Sequence, residues 1–339
     1  MKRVVVTGGA GFIGSHLVER LVQDKISVTV IDNFSTGRKQ NLARFDSLSN
    51  LTIIEADINN LAELKPWFKD IDVVFHLAAL ADIIPSVQRP LDYYRANVSG
   101  TVSILELSRL CHVKRFVYAA SSSCYGIAKI YPTPETAEIN PEYPYALTKF
   151  LGEECVLHWA KVYQLPAISL RLFNVYGPRA RTTGIYGAVF GVFLAQKLVG
   201  RPFTVVGDGT QTRDFTYVTD VVNAFIHAAE SNIKGEIFNV GSGNTYSINE
   251  LIRLLDGDAV YIPKRPGEPN CTFADTAKIS KTLGWKPKVS FDEGVRLMLN
   301  HIEDWRTAPV WDEHSIAEVT KEWFDYLGNK LPVKFERVI

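Results

Sequence analysis

Short apolar, β-branched runs alternate with stretches of helical period through the first half of this chain. Val4–Val6 is the first run, and Phe12–Leu21 is the first stretch whose apolar residues recur at helical spacing. Further strand candidates follow at Val28–Asp32 (VTVID), Leu51–Ile54 (LTII), Asp72–Leu77 (DVVFHL), Arg115–Ala120 (RFVYAA) and Ala167–Phe173 (AISLRLF). Helical stretches fill the gaps, notably around Tyr93–Cys111 and Tyr145–Tyr163. This βαβ order predicts an α/β protein with a doubly wound parallel sheet, whose ligand lies across the carboxyl ends of the strands. After Tyr176-Gly177-Pro178 the alternation is lost. Turns such as Gly207-Asp208-Gly209, Gly241-Ser242-Gly243 and Pro266-Gly267-Glu268 punctuate shorter elements there, which predicts a smaller domain interleaved with the first. Ser315–Leu327 (SIAEVTKEWFDYL) predicts an amphipathic terminal helix, read as packing only.

With 339 residues, 46% of them hydrophobic, the chain can bury the core of one large or two intimate domains. Lys+Arg and Asp+Glu both total 37, so no net charge argues for nucleic acid or an anionic membrane as a partner. Cys111, Cys124, Cys155 and Cys271 have neither metal-ligand spacing nor a paired framework, which predicts no metal site and a reducing compartment. Met1-Lys2-Arg3 could begin a signal peptide, but the apolar run after it stops at Thr7-Gly8-Gly9. No run of about 18 uninterrupted apolar residues suggests a membrane span. The expectation is a cytoplasmic protein.

The first strand breaks into Gly8-x-x-Gly11-x-x-Gly14 before the first helix. Glycines there let the backbone turn sharply and approach a pyrophosphate, which then sits at the positive end of the helix. Such turns also occur without a ligand. The second half of the signature decides: VTVID ends in Asp32, 18 residues after Gly14. An acid at that place accepts hydrogen bonds from the adenosine ribose and repels a 2′-phosphate, favouring NAD over NADP.

Tyr145 and Lys149 in YALTK lie about one turn apart on one helix face. A cation beside a phenol favours tyrosinate, a general base at neutral pH despite a reference value of about 10. The pair alone could be an ordinary surface contact. It gains weight from Ala119–Gly126 (AASSSCYG), whose serine hydroxyls follow a predicted strand at the carboxyl edge of the sheet and can bond a substrate oxygen.

TGGAGFIG (Thr7–Gly14), the acid in IDNFSTG, Asp57-Ile58, HLAA (His76–Ala79), the SSS…YG segment and YALTK occur together. RLFNVYGPR (Arg171–Arg179), VVGDGTQTRDFTYVTD (Val205–Asp220), FNVGSG (Phe238–Gly243) and RPGE (Arg265–Glu268) follow. This set spans nearly the whole chain and resembles the extended short-chain dehydrogenases/reductases that act on nucleotide sugars. AASSSCYG and YALTKFLGEE are most similar to UDP-hexose 4-epimerases, including those acting on N-acetylhexosamines. The resemblance implies a Rossmann-type sheet in residues 1–175, with segments near 215–242 returning to it. Residues 176–339 would mainly form the α/β substrate domain.

It also implies site residues. Gly8, Gly11, Phe12, Ile13 and Gly14 would meet the pyrophosphate of NAD. Asp32, Asn33, Ser35, Thr36 and Gly37 would surround the adenosine ribose, and Asp57 and Ile58 the adenine. Leu77, Ala78, Ala79 and Ala81 would lie along the dinucleotide, whereas His76 reads as a satisfied histidine rather than a catalyst. Tyr145 would take the O4 proton while the C4 hydride passes to NAD, with Ser121 hydrogen-bonded to O4 and Ser122 and Ser123 assisting or holding nearby hydroxyls. Lys149 would hold the nicotinamide ribose and keep the tyrosine pKa low. The 4-keto sugar would then turn over and take the hydride back on its other face. Asn174, Arg213 and Arg265 match positions that bind the UDP-sugar diphosphate, where a guanidinium fork suits phosphate. Glu268 would accept from the nucleotide ribose, Ser86 would touch the sugar, and Thr272 stands where relatives gate the 2-substituent. A small Thr272 would admit an N-acetyl group, so UDP-GlcNAc/UDP-GalNAc join UDP-Glc/UDP-Gal as expected substrates, unless another side chain fills the space.

Related 4,6-dehydratases place an Asp-Glu pair just before the Tyr-Gly of this segment, and UDP-glucuronate decarboxylases keep the glutamate. This chain has Ser122-Ser123 there, with no carboxylate for C5 deprotonation, which disfavours elimination. A dehydratase or decarboxylase with relocated acids and a catalytically silent NAD-binding protein are the alternatives. The resemblance further implies a homodimer through helices around Tyr93–Cys111 and Tyr145–Tyr163.

Overall fold

Val4, Val5, Val6 and Thr7 are all fully buried, which a strand achieves only with neighbours on both edges and cover on both faces. In the computed structural model, which describes residues 1–180 and 188–328, they lie mid-sheet. The strands are β1 (Arg3–Thr7), β2 (Ser27–Asp32), β3 (Leu51–Glu55), β4 (Val73–His76), β5 (Arg115–Ser121), β6 (Ala167–Leu172) and β7 (Glu236–Val240). They form one seven-stranded sheet in the order β7-β6-β5-β4-β1-β2-β3, with every pairing parallel. The order reverses at β1, the switch point at which such sheets bind ligands beyond their carboxyl ends. Thr7 stands level with Ile31 and His76, and Ser121 with Leu172, so the candidate residues share that edge.

Successive side chains of a strand point to opposite faces, and two cores result. Val4 and Val6 pack with Leu17, Val18 and Leu21 of α1 (Phe12–Gln23) and with Val221 and Phe225 from the second half of the chain. Val5, Val74 and Phe116 face the other side, against Ile104, Leu105 and Val156. The helix expected around Tyr93–Cys111 is more articulated than its pattern suggests. A short helix Pro90–Tyr94 passes through a π-helical turn, Arg95–Ser99, into Gly100–Leu110. That wider turn carries Asn97, which is fully buried. Apolar periodicity does not register a single polar residue turned inward.

Three elements of the second half join the sheet layer. The helix Val218–Glu230 packs on α1, β7 extends the sheet beside β6, and the helix Ala277–Leu283 packs on β7. The remaining elements surround a separate core of Tyr176, Phe190, Phe193, Phe203, Phe215 and Phe291. Among the described residues the strands there form two-stranded pairs only: Asn174–Tyr176 with Phe215–Tyr217, Phe203–Val206 with Ala259–Ile262, and Thr212–Arg213 with Tyr246–Ser247. Their brevity is why the sequence rhythm fades after residue 178. No helix among the described residues is long and apolar enough to cross a membrane.

Candidate active site

The glycine turn is built for close approach. Gly8 has φ +70°, and a Cβ on it would lie 2.7 Å from the Ala78 amide nitrogen. A Cβ on Gly14 would lie 2.1 Å from the Gly8 carbonyl oxygen. Neither position tolerates a side chain, so β1, the start of α1 and the segment after β4 press together. Gly11 begins α1 without a side-chain cap, leaving the first amides of the helix available to an anion. Phe12 and Ile13 meanwhile pack against the second-half core.

Asp32 ends β2 nearly buried, and burial pushes its carboxyl above the usual carboxylate value. The Phe34 and Ala10 amides donate to its two oxygens at 2.8 and 2.9 Å and oppose that shift. Each carboxylate oxygen has a second acceptor site for a ribose hydroxyl. A Cβ on Gly37 would stand 2.8 Å from both oxygens, so this loop also presses on Asp32. Asn33 and Ser35 are exposed, with the Ser35 amide donating to Asn33 Oδ1, and Thr36 is half-buried. Asp57 accepts from the Asn59 amide at 2.9 Å, while Ile58 is buried against Gly100. Leu77, Ala78 and Ala79 are half-buried and Ala81 exposed along the segment after β4. These residues fit a dinucleotide.

His76 is fully buried between Thr7 Oγ1 at 2.6 Å and Thr101 Oγ1 at 3.0 Å, and burial holds its pKa down at about 3. Because the Thr101 hydroxyl already donates to the Asn97 carbonyl, the imidazole donates to Thr101 and accepts from Thr7. It is the satisfied histidine that the sequence suggested. Asn97, which the sequence reading missed, grips Leu80 through both backbone groups and donates to Thr148 Oγ1 at 3.0 Å. It ties the cofactor-side segment to the helix Pro144–Val162. Its only sequence signal is a polar residue inside an otherwise apolar helical stretch.

Ser121 ends β5, and its Oγ lies 2.8 Å from Ser123 Oγ while accepting from the Ser123 amide. Ser122 and Ser123 are half-buried in the turn that follows. Tyr145 opens the helix Pro144–Val162, whose first turn Pro144 fixes. Burial pushes the Tyr145 phenol above its ordinary value, a hydrogen bond with the Ser121 hydroxyl pulls it down, and the nearby Asp82 charge adds to the rise. Lys149 is buried with its Nζ 4.3 Å over the Tyr118 ring. Burial lowers its pKa to about 7, against the pull of Glu153 one turn on. The expected lowering of Tyr145 by Lys149 is therefore not what this structure shows. Desolvation dominates, and Ser121 is the group that counters it.

Behind the pair lies a buried polar network that the motifs contained but whose role they did not reveal. Arg171 grips Glu153 through Nη2 at 2.6 Å and donates to the Tyr125 hydroxyl at 2.8 Å. Tyr125 in turn donates to Asn239 Oδ1 at 2.7 Å. The far end of the serine turn is thus fastened to β6 and β7.

On the substrate side, Arg213 is buried and donates to Glu268 Oε1 at 2.8 Å, and Arg265 pairs with Glu268 at 3.9 Å. No hydrogen bond reaches the buried Glu268 Oε2 among the described residues. Beside them opens a cleft of about 420 Å³, lined by Gln211, Arg213, Lys264, Glu268, Pro269 and Asn270. Asp214, also missed, is buried and binds the Ser242 amide at 2.6 Å and the Ala274 amide at 3.0 Å, joining the segments that carry Arg213 and Thr272. Asn174 Oδ1 accepts from the Thr272 hydroxyl. Ser86 is fully buried, and its hydroxyl donates to the Ile83 carbonyl at 2.6 Å, which leaves its oxygen free to act as an acceptor.

The profile of the NAD dependent epimerase/dehydratase family matches residues 4–241. A putative UDP-glucose 4-epimerase of Methanocaldococcus jannaschii is 37% identical over 308 residues, 89% of this chain and 98% of that protein. The crystal structure of a UDP-glucose 4-epimerase with UDP-glucose from Thermotoga maritima superposes with a TM-score of 0.84 at 36% identity, covering 89% of this chain and 98% of that one. A UDP-N-acetylglucosamine 4-epimerase from Methanobrevibacter ruminantium, in complex with UDP-N-acetylmuramic acid, gives 0.85 at 36% identity over the same shares. With the glycine turn, Asp32 and the Ser121–Tyr145 pair on one sheet edge, this chain belongs to the NAD dependent epimerase/dehydratase family as an extended short-chain dehydrogenase/reductase of the nucleotide-sugar epimerase group, with NAD as its cofactor.

Proposed function

We propose that this enzyme is an isomerase that inverts C4 of UDP-hexoses through a 4-keto intermediate, acting on UDP-Glc/UDP-Gal and on UDP-GlcNAc/UDP-GalNAc. One observation carries the reading: the Ser121 hydroxyl, at the carboxyl end of β5, counters the burial of the Tyr145 phenol, and it lies in a turn whose next two residues, Ser122 and Ser123, bring no carboxylate. NAD supplies the acceptor and donor for the C4 hydride and a positive ring charge that favours tyrosinate. Gly8, Gly11 and the first turn of α1 hold the pyrophosphate, Asp32 the adenosine ribose, and Lys149 the nicotinamide ribose. Tyr145 removes the O4 proton and later returns it, while Ser121 holds O4. Arg213 and Arg265 clamp the diphosphate, Glu268 accepts from the uridine ribose, and the Asn174 amide donates beside them. In this reading residues 1–175, with the return near 215–242, carry the cofactor, and 176–339 mainly the sugar nucleotide. β7 beside β6 supports that division.

Proton NMR with mass spectrometry on UDP-Glc, UDP-GlcNAc and UDP-glucuronic acid tests the proposal. A 4-epimer at unchanged mass supports it and ranks the sugars. Loss of water or carbon dioxide would establish an elimination or decarboxylation instead.

A further inference from the structure

The C-terminal helix Glu313–Gly328, which its sequence suggested was packing alone, reaches both halves of the site. Ile316, Thr320 and Trp323 form its buried face, and it packs against the helix Ile83–Gln88. Trp323 is 4% exposed, and its Nε1 donates to the Pro266 carbonyl at 2.8 Å. The Arg265 guanidinium lies 5.6 Å over its ring. On another side the Tyr143 ring is 6.4 Å from Trp323, and the same ring stacks 6.4 Å from Tyr145 at an interplanar angle of 7°. Leu327 closes over the turn at Gly267, whose φ is +73°. One indole therefore contacts both the backbone and the cation of the loop bearing Arg265 and Glu268, and lies beside the neighbour of the candidate base.

We infer that Trp323 is a positioning residue that sets the Arg265–Glu268 loop against Tyr143 and Tyr145, so that the C-terminal helix controls affinity for the nucleotide end of the substrate. The inference rests on the reading that Arg213, Arg265 and Glu268 bind the nucleotide diphosphate. Loss of the indole removes a hydrogen bond from Pro266 and a ring from Arg265, and leaves Ser121, Tyr145 and Lys149 intact. Its effect falls on binding rather than on the chemical step.

Calorimetric titration of UDP and steady-state kinetics on Trp323→Ala and Trp323→Phe test this, with bound NAD and melting temperature as controls for folding. Trp323→Ala is expected to raise the UDP Kd and the sugar-nucleotide KM about tenfold, with kcat within about twofold. Trp323→Phe keeps a ring for Arg265 without the donor to Pro266, and falls between Trp323→Ala and wild type. Values within about twofold of wild type for a folded Trp323→Ala, or an equal fall in kcat and kcat/KM, overturn the inference. If Trp323→Ala does not fold, Trp323→Phe decides: a raised UDP Kd supports the role and an unchanged one overturns it. Wild-type protein that binds no UDP removes the nucleotide-sugar reading and the inference with it. Wild-type binding with unaltered variants removes the inference alone.

Discussion

The Thr272 hydroxyl donates to Asn174 Oδ1 at 2.7 Å while accepting from the Asp214 amide at 3.0 Å. That bond fixes which way the Asn174 carboxamide faces and so directs its amino group. Thr272, the expected gate for the 2-substituent, is thus also the residue that orients Asn174. Thr272→Val removes that hydrogen bond at nearly constant shape. It is expected to raise the sugar-nucleotide KM several-fold, by about 1 kcal/mol of lost orientation, with little change in kcat, while Thr272→Ser keeps wild-type values. Equal KM for Thr272→Val and wild type would leave Asn174 oriented by something else.

Tyr145→Phe removes the proposed base without disturbing the stacking of residue 145 on Tyr143. Turnover should fall by about 10²–10⁴-fold, the usual contribution of a positioned acid–base group, while UDP and NAD binding persist. Ser121→Ala leaves the phenol without its one counter to burial. The rising limb of its pH–rate profile should therefore move to higher pH. A profile that stays in place would separate Ser121 from the ionisation of Tyr145.

Lys149 gives a stability signature. Its pKa is lowered to about 7 in the folded chain, against about 10.4 in an unfolded one. Between those values the unfolded state holds a proton that the folded state lacks, so unfolding free energy rises with pH by up to ~1.4 kcal/mol per unit. Urea titrations of NAD-free wild type and Lys149→Met across that window should show wild type gaining on the variant as pH rises. A difference independent of pH would contradict the burial of the ammonium.

The sequence made the cofactor side legible because its chemistry is local: Gly8, Gly14 and Asp32 are read from spacing, and the structure sets the glycine turn that follows β1 beside the end of β2, where the Gly8 amide donates to the Ile31 carbonyl at 2.8 Å. The seven-stranded order is only partly written there, since 63 residues separate the end of β6 at Leu172 from the start of β7 at Glu236. Asn97, Asp214 and the Glu153–Arg171 pair stayed hidden because each acts between segments distant in sequence. Nor does a motif match reveal that the Ser86 hydroxyl donates to its own helix. The terminal helix likewise reads as an apolar stripe until Trp323 is seen against Arg265.

The exposed apolar side chains of the helices near residues 90–110 and 144–163 bear on assembly. Leu91, Tyr94, Leu110, Leu147, Val162 and Tyr163 are 82%, 49%, 48%, 43%, 51% and 47% accessible. We propose that two copies cover them as a homodimer. Light scattering should give twice the chain mass of 37.9 kDa, and Leu91→Asp with Val162→Asp should give a monomer. A monomeric wild type would contradict this.

Isotope retention tests the central claim most directly. UDP-glucose and UDP-N-acetylglucosamine carrying deuterium at C4 are incubated with the enzyme in ordinary water, and the product is examined by NMR and mass spectrometry. The account predicts the C4 epimer of at least one, at unchanged mass and with its deuterium still on C4, because the hydride leaves and returns within one site. Deuterium lost to solvent, or a product lighter by water, would contradict it.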